Sequence, residues 1–142
     1  MNEDQNTRSH NLGRLAVAAA TIALALGLAA GSASAATGSL TYYSSGTAAA
    51  SFVNYNIHTI DSYVVGTLKD TKADGSNAYV YESNYYGSWG SWGSLGHTTG
   101  GSGTSVAINH TIGWGSAAGT RLAVCAGPMN SSQSNCAVKV TS

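Results

Sequence analysis

His58 and Asp61 stand three residues apart in a serine-rich chain, so the ingredients of a Ser/His/Asp triad are present. Ingredients are not a triad, because nucleophile and base must meet within hydrogen-bond reach. The sequence holds no Gly-x-Ser-x-Gly elbow on a strand-to-helix turn. Paired carboxylates for glycoside hydrolysis would have to come from Asp61, Asp70, Asp74 and Glu82. Asp70 and Asp74 flank a turn, where carboxylates cap backbone N–H groups. Glu82 lies among tyrosines in a strand-like run. His58, His97 and His110 could ligate zinc in number, but His97 falls in a Gly-rich stretch and His110 on the apolar face of a strand. The expectation is therefore no catalytic residue, no metal site and no cofactor.

The aromatic residues carry more information. Residues 87–103 read GSWGSWGSLGHTTGGSG, with Trp89, Trp92 and Leu95 each following a Gly-Ser pair. Glycine loses more backbone entropy on ordering than any other residue, so this stretch has little propensity of its own. Three large apolar side chains at a spacing of three must either fold back over a sheet or face a ligand. Tyr79, Tyr81, Tyr85 and Tyr86 precede them closely. Flat rings suit the C–H faces of sugars, and Tyr, Ser and Asn hydroxyls and amides suit sugar hydroxyls. Rigid rings in a Ser/Gly frame suit protein recognition equally well, because they lose little entropy on binding. Trp89, Trp92, Tyr85 and Tyr86 are the expected binding residues, for a polysaccharide or an extracellular protein. The competing expectation is that the rings fill a core poor in Leu, Ile and Phe.

Cys125 and Cys136 are the two cysteines. In an exported chain an even count points to a disulfide, and no His, Asp or Glu between them suggests a metal. The segment Cys125-Ala126-Gly127-Pro128-Met129 resembles the exposed Cys-Pro-Met segment of the subtilisin-inhibitor family. That resemblance implies a protease-directed loop over residues 126–135, with Pro128 and Met129 presented to the protease. The family relies on a second disulfide, which this chain lacks. The low charge and the Gly, Ser, Val and Asn content are also similar to amphipathic coat proteins of bacterial aerial structures. That likeness implies a self-associating surface protein, although no hydrophobic repeat of that kind is visible.

These residues need elements to position them. The chain opens with a polar stretch carrying Arg8 and Arg14, an uncharged Ala/Leu run over residues 15–28, and Ala33-Ser34-Ala35. This is the pattern of a secretory leader over residues 1–35, with cleavage after Ala35 or Ala36. The apolar run is short of the ~20 residues of a spanning helix, so no membrane span is expected once the leader is gone. Residues 36–142 then form the single expected domain. Lys69, Lys72, Arg121 and Lys139 balance Asp61, Asp70, Asp74 and Glu82 there. No basic patch exists for a phosphate backbone, so nucleic acid is not an expected partner.

Period-two alternation runs through residues 48–57, 61–70, 78–86 and 104–114, and shorter runs cover 120–125 and 136–140. Residues 37–46 read as a leader or edge strand. Val53, Tyr55 and Ile57 are expected on one side of their strand and Phe52, Asn54 and Asn56 on the other. Asp74-Gly75 between two alternating runs predicts a hairpin of 61–70 with 78–86. If Cys125 and Cys136 are opposite one another, Leu122 and Val124 face one way and Val138 and Val140 the other. The fold class is all-β: a small antiparallel sandwich or partly open barrel of about six to seven strands, with a Gly/Ser/Trp-rich loop at 87–103.

Overall fold

The computed structural model describes residues 35–58, 63–111 and 117–141. Nearly all of the expected leader lies outside this range, as do Asp61 and Trp114. The described chain is all-β, with two antiparallel four-stranded sheets and no helix among the described residues. The strands are β1 (Ala35–Ser44), β2 (Thr47–His58), β3 (Tyr63–Asp70), β4 (Ala78–Tyr85), β5 (Gly93–His97), β6 (Ser105–Thr111), β7 (Gly119–Ala126) and β8 (Cys136–Thr141). One sheet has the order β1-β2-β3-β6 and the other β5-β4-β7-β8. The inner faces of both sheets share one core of Ala50, Phe52, Tyr55, Ile57, Val64, Leu68, Ala78, Val80, Ile108, Leu122 and Val124.

Two sequence expectations need correction. The strands β3 and β4 do not pair as a hairpin but lie in different sheets. Asp74 and Gly75 do form a tight turn, with Gly75 at φ 76° and the Ser76 N–H donating to Asp74 Oδ1 at 2.9 Å. That turn is local. The two edges of β3 are already taken by β2 and β6, so its successor must cross to the other sheet. Backbone bonds from Thr71 N to Ala49 O and from Gly103 N to Asp70 O fix the departure point. The second correction concerns the phase of β2. Asn54 sits at φ 52° and the register with β3 breaks between Val53 and Asn56. This bulge flips the alternation. Phe52, Tyr55 and Ile57 all face the core, instead of Phe52 lying opposite the other two. Phe52 and Tyr55 stack with centroids 5.9 Å apart, and a Cβ on Gly66 would lie 2.5 Å from the Phe52 ring. Gly66 is the gap that lets the Phe52 ring into the core.

The eighth strand is β5, inside the stretch read as loop. It pairs with β4 at the sheet edge, where a strand needs only one ladder of hydrogen bonds. Cys125 and Cys136 are register partners on β7 and β8 and form a disulfide. The two cysteines are therefore directly opposite one another. Leu122 and Val124 are fully buried, while Val138 and Val140 on the outer face are 44% and 57% exposed.

Candidate functional site

The outer face of the β5-β4-β7-β8 sheet collects the aromatic residues. On β4, Ala78, Val80 and Glu82 point inward, so Tyr79, Tyr81, Ser83 and Tyr85 point outward. Antiparallel pairing sets Tyr79 opposite Cys125, Tyr81 opposite Ala123, Ser83 opposite Arg121 and Tyr85 opposite Gly119. On the other side Tyr79 is paired with His97 of β5. His97, Tyr79 and Tyr81 form a row of nearly parallel rings, with centroids 5.0 Å and 6.2 Å apart.

The Gly-rich segment 86–92 folds back over this face. Ser83 Oγ donates to Gly90 O at 2.7 Å, and Gly90 N donates to Asn84 O at 3.0 Å. Gly87 takes φ 88°, which starts the reversal. Trp89 meets Tyr85 edge-on at 5.3 Å between centroids. A Cβ on Gly119 would come within 3.8 Å of both Trp89 and Tyr85, so a small residue there leaves room for them. The two tryptophans then close on Arg121: its guanidinium carbon lies 4.7 Å from the Trp89 ring centre and 4.5 Å from that of Trp92. Such cation–π contacts gain strength as the pair loses water. Both rings are half-buried. Tyr85 and Tyr86 are exposed, at 36% and 53%.

Trp89, Trp92 and Tyr85 are thus brought to one face, with Tyr79, Tyr81, His97 and Arg121 added to it, while Tyr86 is exposed just beyond the end of β4. Sequence reasoning did not single out Arg121 or His97 for this face. The alternation of β7 places Arg121 opposite Leu122 and Val124, hence outward. Placing it between Trp89 and Trp92 requires the pairing of β4 with β7, strands distant in sequence.

The loop 126–135 is built differently. The Asn135 side-chain amide donates to Ala126 O at 3.0 Å and to Pro128 O at 2.8 Å. Asn130 Oδ1 accepts from Ser134 N at 3.1 Å. The Met129 N–H donates to Tyr81 Oη at 3.1 Å, and Met129 is half-buried while Pro128 is exposed.

The remaining chemical residues do not converge. The His58 side chain and Asp61 lie outside the described residues, and His110 is half-buried on β6. Among the described residues no group of three His, Cys, Asp or Glu could hold a metal ion. Glu82 is turned into the sandwich, 7% exposed, with Oε2 lacking a hydrogen-bond partner. Burial pushes its carboxyl up to about 7, against a smaller lowering by the Asn84 side chain. Asp70 is also raised, first by burial and further by the charge of Asp74, while the Lys72 N–H works the other way. Open depressions lie at 69–71 with 102–105, and at 37–39 with 54–56; neither includes a residue of the aromatic face. Comparison with protein-family models, with curated proteins and with solved structures returns no match.

Proposed function

We propose that this chain is an exported, non-catalytic binding module that holds a polysaccharide on the outer face of the β5-β4-β7-β8 sheet. The observation that carries the reading is the ring row His97–Tyr79–Tyr81 beside the Trp89–Arg121–Trp92 cluster on one face. Small-molecule sites are concave and enclose most of their ligand. A face of rings instead suits an extended polymer, which can lie across several of them and gain affinity from repeated weak contacts. The disulfide suits an oxidising compartment, and the leader read over residues 1–35 is the route there.

The test is retention on insoluble polysaccharides by the wild type and by Tyr79→Ala and Tyr86→Ala. Both residues lie on or beside the outer face and outside the core cluster, so each variant should melt within a few degrees of wild type. Each should lose retention, since a lost aromatic anchor can remove more than ~1 kcal/mol of binding. Wild-type protein retained on no polysaccharide refutes the reading. N-terminal sequencing of material from the medium should begin at Ala36 or Thr37; a read from Met1 refutes export by leader cleavage.

A further inference from the structure

Arg121 is the only formally charged side chain described on the aromatic face. The described acids lie elsewhere: Asp70 ends β3, Asp74 sits in the crossover and Glu82 points into the core. Arg121 has no ion pair or hydrogen bond among the described residues; its contacts are the two indole faces. Its Nε is buried without a partner, as is the Trp92 Nε1 beside it. A guanidinium normally occupies its fork of donors with a carboxylate or a phosphate. Here the guanidinium lies against both indole rings, which leave its charge uncompensated. Arg121 as a whole is half-buried.

We infer that Arg121, held between Trp89 and Trp92, is an anion-recognition point, and that the polymer bound on this face is an acidic glycan whose sugar rings carry oxyanion groups. This rests on the binding-module reading and adds the substrate class to it. The rings of Tyr79, Tyr81 and His97 take sugar faces, and Arg121 takes the acidic substituent in a bidentate contact. Holding the guanidinium against the rings in advance reduces the ordering that binding requires, which favours a two-point contact over a diffuse charge attraction. A face with one cation and no described acid also repels no polyanion, whereas the balanced net charge of the whole chain offers no general attraction.

The experiment compares polygalacturonate, the same polymer after its carboxyl groups are reduced to alcohols, and a phosphate-bearing mannan. Wild type should bind an acidic polymer at least ~10-fold more tightly than the reduced one, a difference of about 1.4 kcal/mol. The preference should fall as salt rises from 50 to 500 mM. Arg121→Gln should bind acidic and reduced polymers alike, and Arg121→Lys should recover only part of the preference, because an ammonium lacks the fork. The carboxylate and phosphate arms show which oxyanion is taken. The wild-type comparison needs no variant, so it stands even if Arg121→Gln unfolds. Equal wild-type binding to acidic and reduced polymer overturns the inference and leaves the module reading in place. Retention on none of these polymers, nor on neutral ones, overturns both.

Discussion

Two segments leave the strands of the second sheet, and they reach order by opposite means. The loop 126–135 is closed mostly by its own polar groups, with ties outward from Met129 N–H to Tyr81 Oη and from Gly127 N–H to Asn77 O. Asn130 and Asn135 satisfy its backbone from within, and the Cys125–Cys136 bridge clamps its base. The segment 86–92 has three glycine-free positions of weight, Tyr86, Trp89 and Trp92, and few polar bonds of its own. Its order comes from rings seated on Tyr85 and Arg121 of the neighbouring strands. A loop of polar side chains can be rigid in isolation. A Gly/Trp segment borrows its shape from the sheet beneath it, so its surface and its stability are the same interaction.

Removing both rings should therefore have the largest effect. Trp89→Ala with Trp92→Ala should cost about 4 kcal/mol, about 2 kcal/mol for each half-buried ring, which is half the ~3–5 kcal/mol expected for a fully buried one. Urea unfolding measures it; a loss under about 1 kcal/mol would mean that the rings do not hold the segment. Next comes the bridge. Cys125→Ser should lower stability by about 3 kcal/mol in the loop-closure account, and free thiols detected in the folded protein would contradict the assignment.

The third test separates the regions by pH. Residues 126–135 contain no titratable side chain, whereas β4 carries Glu82 beneath the rings. The folded-state carboxyl of Glu82 is raised from 4.5 to about 7, so the native state favours its protonated form. That contribution is fully present below about pH 4.5 and is lost as pH rises through about 7. Wild type should lose about 2 kcal/mol across that window, below the ~3 kcal/mol that the full shift would set. Glu82→Gln should remove that part of the slope, and an unchanged slope in the variant refutes the assignment. Protection against hydrogen exchange should weaken in β4 and not in the loop. The smallest effect is Asn135→Ala. Losing its amide should cost about 1 kcal/mol and open 126–135 to proteolysis, while polysaccharide retention stays at the wild-type level. Protease resistance unchanged in that variant would show that the Asn135 amide does not hold the loop.

Much of the site was legible before any fold. Alternation alone sorted Tyr79, Tyr81, Ser83 and Tyr85 from Ala78, Val80 and Glu82, and the structure keeps that division. The same rule failed on β2, because a bulge at Asn54 shifts the phase by one residue and no local pattern announces it. The Asp-Gly signal correctly marked a turn and wrongly implied a hairpin, since turn chemistry says nothing about which strands are still free to pair.

From sequence alone came the all-β class, the inward and outward sets of most strands, the cysteine pairing and the gathering of aromatics around residues 79–92. These depend on the period-two geometry of an extended chain and on near neighbours, and both are written locally. Tertiary structure decided that β3 and β4 part company, that Gly93–His97 becomes an edge strand, and that Arg121 enters between Trp89 and Trp92. Those facts depend on β7 pairing with β4 across more than thirty intervening residues. Which strand takes a free edge is settled by the core that the two sheets bury together, and no single stretch of the chain contains that information.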